Sequence, residues 1–175
     1  MAPEPSGTMA APRPRSVPAT LIGCSNLVVE EGRTLLVLES KSQARDRYNL
    51  PAGKPELGET LAEAAAREAE EETGLRVEPE YLVGIYHCPR TSEGVGVVNF
   101  VFRSHVVGGA LRTTAEHPDV RYFTRDEVAE LGRTQRLRGI HVELAIDQWA
   151  AGARLPADVV QLVPSWPLPT GDEPA

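Results

Sequence analysis

From Gly53 to Leu75 the chain reads GKPELGETLAEAAAREAEEETGL, and no other stretch narrows the possible folds as much. It follows Pro51 and opens with turn formers, Gly53, Pro55 and Gly58, the last able to supply a φ > 0 position where the chain bends. Thr60 to Thr73 contains neither Gly nor Pro and is dominated by Ala, Leu, Glu and Arg, all strong helix formers. Gly74 then stands where a left-handed cap residue belongs. The order is loop, helix, stop.

The charges on that helix fall in an unusual place. Glu68, Glu71 and Glu72 stand at i, i+3 and i+4, which puts their carboxylates on one face. Like charges at that spacing cost an isolated helix roughly 0.2–0.5 kcal/mol per pair. A divalent cation removes that repulsion, and a tight set of hard oxygen ligands suits Mg²⁺ or Mn²⁺. Leu61, Ala65 and Ala69 form a small apolar stripe that can seat the helix closely on a sheet. Arg67, beside the cluster, can clamp a carboxylate through two parallel hydrogen bonds.

Gly53, five residues, Glu59, seven residues and then Arg67-Glu68-Ala69-Glu70-Glu71-Glu72-Thr73-Gly74-Leu75 resembles the complete Nudix box. All charged and Gly positions of that signature are matched, and Ala69 stands where a bulkier aliphatic residue is usual. The resemblance implies an α/β fold, an α/β/α sandwich around a mixed β-sheet, covering residues 19–153. It also implies water-driven cleavage of a diphosphate joined to another moiety, with Mg²⁺ or Mn²⁺ as cofactor. On that basis Glu68, Glu71 and Glu72 are expected to bind metal, with the Gly53 carbonyl and Glu59 joining them. Glu59 has a second reading, as the group that orients Arg67.

The rest of the chain fits an α/β layering. Ala19–Glu30 and Arg33–Glu39 read as strands joined at Glu31-Gly32, and Leu35 to Leu38 is apolar on both faces, as in a central strand. Tyr48 to Pro51 leads extended chain into the box. Leu75–Tyr86 and Val97–Val107 read as strands on either side of an exposed turn, and Val120–Phe123 as a short one. Thr124 with Glu127 makes a capping box for a helix over Arg125–Leu131. Leu137–Trp149 shows helical periodicity with Leu137, Ile140, Leu144, Ala145 and Trp149 expected inward. Residues 1–18 and 154–175 are rich in Pro and read as tails, the first expected to be disordered.

Outside the box the candidates are open. Catalytic roles are expected for Glu71 and Arg67, while the general base is either a box glutamate or a later carboxylate. Glu116, just before the strand at Val120, leads Asp119 and Glu93 among the later ones. Tyr48 and Phe100 can stack a base, and Arg47 and Arg90 can pair with phosphate, though core packing and solvation explain the same residues. Pro89 lies about where ADP-ribose-cleaving members carry a proline, whereas Asn49-Leu50-Pro51-Ala52-Gly53 resembles the bacterial branch acting on nucleoside di- and triphosphates and thiamine diphosphate. The four histidines lack metal-site spacing and read as structural or surface residues.

The formal net charge of -7 argues against a nucleic-acid backbone as partner. The expected partner is instead a small phosphorylated molecule, and the resemblance leaves a homodimer open. No apolar run approaches membrane-spanning length, and the N-terminus has no secretory leader pattern. Cys24 and Cys88 form no CxxC or disulfide framework, so the expected address is the cytoplasm. The competing reading is a ligand-sensing Nudix domain without catalysis. Such regulators usually lose box carboxylates, and this box is intact.

Overall fold

The computed structural model describes residues 19–41, 45–89 and 94–162. Strands β1 (Thr20–Glu30) and β2 (Arg33–Glu39) form the expected hairpin. Glu31 and Gly32 both take positive φ, 48° and 75°, the geometry that matches a two-residue turn to the twist of its strands. Next come β3 (Arg47–Asn49), β4 (Ala52–Gly53) and α1 (Leu61–Thr73), followed by the two long strands β5 (Leu75–Cys88) and β6 (Gly96–Gly109). The chain continues through β7 (Val120–Phe123), α2 (Arg125–Arg133), α3 (His141–Ala150) and β8 (Leu155–Pro156) into a 3-10 turn at Ala157–Val159.

The sheet runs β3-β2-β1-β6-β5-β8, with β4 also pairing β1 and β7 also pairing β2. It is mixed: β1 and β6 are parallel from Thr20↔Gly96 to Val28↔Ser104, and the other strand pairs are antiparallel. Successive side chains of a strand leave by opposite faces. Leu27 and Leu36 thus join Phe123, Val128, Leu131, Val142 and Ile146 on the side covered by α2 and α3. Val28, Leu35 and Val37 join Ala69 and Leu75, and Cys24, Leu82 and Phe102 join Ala64 and Ala65, on the side covered by α1. The α/β/α sandwich is therefore present.

Small residues let α1 lie close to the sheet. Asn26, buried in β1, donates to the Ala65 carbonyl at 2.6 Å and accepts from the Ser104 hydroxyl at 2.9 Å. A buried amide so satisfied fixes the helix against β1 and β6. Both ends of α1 are closed. Thr60 and Glu63 form a reciprocal capping box, a Thr-x-x-Glu signal open to sequence reading but not used above. Gly74 caps the other end at φ 76°, its N–H reaching the Glu70 carbonyl at 2.9 Å.

Two expectations are corrected. Leu137 is buried as expected but lies outside α3, in a bridge with Tyr48, and Ile140 and Leu144 are exposed; the inward face keeps the expected Ala145, with Trp149 packed partly against it, and adds Val142 and Ile146. The stretch expected to begin the C-terminal tail instead adds β8 to the sheet through Tyr81↔Pro156 and Leu82↔Leu155, and Ala157 and Val160 pack against the α1-side core. The tail residues 1–18 and 163–175 lie outside the described residues, as do Arg90 and Glu93.

Candidate active site

The box residues are gathered by the two backbone segments that meet over β1. Cys24↔Gly53 and Ser25↔Ala52 pair β4 to β1, which places the loop beside the last turns of α1. A Cβ on Gly53 would stand 1.9–2.4 Å from the Glu68 carboxyl atoms, so only glycine leaves room for that carboxylate. Arg67 is the hub. Its Nε and Nη2 donate to the two Glu59 oxygens at 2.8 and 3.0 Å, and Nη2 also reaches the Lys54 carbonyl at 3.0 Å. Its Nη1 lies 3.0 Å from Glu68 Oε1 and 3.4 Å from Glu71 Oε2. One guanidinium thus offsets the repulsion among three carboxylates and ties the loop to the helix.

Glu59 makes a forked pairing with Arg67, which holds its carboxyl below the usual range, helped by the Glu56 N–H. Glu71 is the open member of the cluster, with 60 % of its side chain exposed. Glu72 is nearly enclosed. Its Oε2 accepts from the Ala52 N–H at 3.0 Å and its Oε1 lies 3.1 Å from His117 Nε2. Burial raises the Glu72 carboxyl above its ordinary value, and the pairing with Glu72 raises His117 against the opposing pull of burial.

His117 is a contact that sequence reading missed. It stands on neither a helix nor a strand, and no spacing rule links it to Glu72; its only sequence signal is its position beside Glu116. Glu116 itself is exposed and paired with Lys41, which keeps its carboxyl below the usual range. Asp119 accepts from the Tyr48 hydroxyl and, at 3.1 Å, from Arg121 Nε. Tyr48 is buried with its ring edge-on to Phe123 at 4.8 Å, so it serves the core rather than a ligand. Arg47 lines a shallow hollow of about 380 Å³ with Leu137, Ile140 and Glu143, and no box residue borders it. Phe100 is the one aromatic candidate beside the box, because Cys24 pairs with both Gly53 and Phe100. Burial pushes the Cys24 thiol up to about 11, so it sits beneath the site as an inert neutral group.

Among the described residues, no three Asp, Glu, His or Cys side chains converge into a ready cation cage. The donor chemistry nevertheless fits a hard divalent cation. Glu68, the open Glu71 and the twice-anchored Glu72 present carboxylate oxygens, the donor type a hard divalent cation takes, beside a backbone made bare by Gly53.

The family model described as the NUDIX domain matches residues 20–143. The chain belongs to the NUDIX family. Two curated relatives frame this NUDIX domain. It is 38% identical over 115 residues to a MutT-like protein of Streptomyces ambofaciens, covering 66% of this chain and 71% of that one. It is 41% identical over 87 residues to the human 8-oxo-dGDP phosphatase NUDT18, covering 50% of this chain but only 25% of the human protein. The chain thus spans a quarter of the human relative's length. Among solved structures, a NUDIX hydrolase from Nitrosomonas europaea superposes with TM-score 0.76 at 29% identity, covering 84% of this chain and 99% of that chain.

Proposed function

We propose that this NUDIX domain is a pyrophosphohydrolase dependent on Mg²⁺ or Mn²⁺, acting on a nucleoside diphosphate or a nucleoside diphosphate joined to a further group. The chain is a hydrolase of acid anhydrides, a reading its family membership and the phosphatase named among its relatives both support. The observation that carries the proposal is the folded box itself, with Glu68 and Glu71 held by Arg67, Glu68 against the bare backbone of Gly53, and Glu72 anchored on the Ala52 N–H. When bound there, a divalent cation supplies charge neutralisation on the non-bridging phosphate oxygens and an oriented water.

The protein's own part is positional. Glu68, Glu71 and Glu72 would hold the metal, with the Gly53 carbonyl as a further oxygen donor. Arg67, locked on Glu59, keeps Glu68 and Glu71 from splaying. Water oxygen bonds to phosphorus as the phosphoanhydride oxygen leaves, and the water proton passes to a carboxylate. We assign that role to Glu71, which is exposed and held by Arg67 only at 3.4 Å. Glu116 serves as base only after release from Lys41. Phe100, at the edge of the box, is the aromatic surface for a base or sugar. The name of the human relative favours a nucleoside diphosphate over a nucleotide sugar as the first substrate to test.

Phosphate release is measured with Mg²⁺ and with Mn²⁺ across 8-oxo-dGDP, other nucleoside di- and triphosphates, ADP-ribose, NADH and thiamine diphosphate. One class cleaved well above the rest is expected, and Glu71→Gln should lower that rate at least 100-fold without unfolding the chain. A fully active Glu71→Gln protein removes Glu71 from the mechanism. Tight nucleotide binding with silence across the panel would replace the enzyme by the ligand-sensing reading.

A further inference from the structure

The loop from Ala110 to Asp119 crosses from the end of β6 to β7 and is tied down at both ends. The Arg112 N–H reaches the Thr73 carbonyl at the end of α1 (2.8 Å), while the Leu38 and Ser40 N–H groups reach the Asp119 and Glu116 carbonyls (2.8 and 3.0 Å). Within it Thr114 and His117 close a tight turn: the Thr114 N–H donates to the His117 carbonyl, and the His117 N–H donates to Thr114 Oγ1, both at 3.0 Å. That turn aims the imidazole inward. His117 and Glu72 are 11 % and 13 % exposed at their side chains, and their 3.1 Å contact joins the loop to the last turn of α1.

A carboxylate has two oxygens with two lone pairs each and can only accept. At Glu72 one lone pair of Oε2 is used by Ala52 and one of Oε1 by His117, which leaves a lone pair on each oxygen for a cation. An enclosed carboxylate with a single donor can rotate or take up a proton, whereas a donor on each oxygen fixes its plane. We propose that His117 is a positioning residue. Its Nε2–H holds Glu72 in the orientation that binds the metal, and the same contact seats the loop that carries Glu116. This rests on the proposed function, which places Glu72 among the metal ligands, and it adds a residue outside the box to the machinery of that site.

Ligand-orienting hydrogen bonds of this kind are typically worth about 10–100-fold in metal affinity. The test is Mn²⁺ titration of the substrate-free protein, followed by the electron paramagnetic resonance signal of free Mn²⁺, for wild type, His117→Ala and His117→Gln. His117→Ala should bind Mn²⁺ at least 10-fold more weakly. His117→Gln, which keeps an N–H donor of similar reach, should stay within about threefold of wild type. Raising Mn²⁺ should restore most of the turnover of His117→Ala, which a general loss of folding would not allow. In the metal-free protein, amide exchange over 110–119 should quicken in His117→Ala and not in His117→Gln.

Wild-type protein that binds no Mn²⁺ would overturn the proposed function itself. Wild type that binds while His117→Ala binds equally well would overturn the positioning role alone. If His117→Ala fails to fold, His117→Gln decides, and a tenfold loss there would overturn the hydrogen-bonding role.

Discussion

Gly53 and Gly58 both open the box loop, yet the backbone asks different things of them. At Gly58 φ is 89° and a Cβ would meet nothing within 4 Å, so an alanine there strains only the backbone. At Gly53 the obstacle is the Glu68 carboxylate, the movable end of a side chain. Gly53→Ala should therefore fold with a stability within about 1 kcal/mol of wild type while the carboxylate is driven off its place on Arg67. Turnover should fall at least tenfold, against less than threefold for Gly58→Ala, as read by phosphate release alongside a thermal melt. Equal activity in the two variants would mean that the approach of Glu68 to the Gly53 backbone has no functional weight. The residues on which this turns were legible before the fold was known, because box chemistry is local: spacing along one loop and one helix brings Glu59, Arg67, Glu68 and Glu71 together. His117 was not legible, since its meeting with Glu72 depends on where a loop after β6 is laid down, and no local periodicity encodes that.

Helices and strands divided in the same way. Helix α1 was readable because composition, stripe and Gly74 agree; Gly74 combines a φ of 76° with a neighbouring backbone oxygen, Ala110 O, 2.5 Å from where a Cβ would lie. Backbone cannot step aside as a side chain can, so Gly74→Ala should cost about 2–3 kcal/mol in urea unfolding, well above the about 1 kcal/mol expected of Gly58→Ala. Similar costs for the two would show that the contact with Ala110 relaxes freely. The inward face of α3 was half legible: Ala145 and Trp149 face inward as expected, while Val142 and Ile146 take the places expected of Ile140 and Leu144. Leu137 is buried as expected, but in its bridge to Tyr48 ahead of the helix, so it does not set the register of α3. At the start of that helix His141 packs against Asn49, with Nε2 3.1 Å from Asn49 Oδ1, and burial with the nearby Arg138 lowers its pKa to about 4. Between that value and the ordinary 6.5 the folded chain binds fewer protons than the unfolded one, so stability falls as pH drops through the window. Wild type should lose about 1–3 kcal/mol more than His141→Gln between pH 7.5 and pH 4, the lower figure allowing for partial access of water to the ring. Parallel losses in both proteins would clear His141 of the effect.

Over the whole molecule the least legible feature was where the domain ends. Proline at 156 and the prolines beyond it suggested a tail, yet proline is tolerated at the rim of a sheet, and Leu155–Pro156 lies along the outer side of β5. Just before it the Arg154 guanidinium stacks 4.5 Å from the Tyr81 ring centroid, and just after it Ala157 and Val160 cover the cluster formed by Cys24, Ala64, Ala65, Leu82 and Phe102. That cluster lies directly beneath the box, since Cys24 pairs with Gly53 and Ala64 and Ala65 belong to α1. The segment thus pairs with Tyr81 and Leu82 on the outer edge of β5 and covers part of the apolar floor beneath the carboxylates. Ending the chain after Arg154 strips both, removing the pairing at Tyr81 and Leu82 that interrupts the outer edge of β5 and opening part of the floor to water. A loss of about 1–3 kcal/mol follows from the apolar area alone, and an open edge of that length invites a second copy to pair with it. A chain ended after Leu162 retains both contacts and is the matched control. Urea unfolding and size-exclusion chromatography across a range of protein concentrations should separate the two, with only the shorter chain less stable and self-associating. Matching unfolding midpoints and elution volumes would mean that β8 rests on the sheet without supporting it, and would move the end of the domain back to α3.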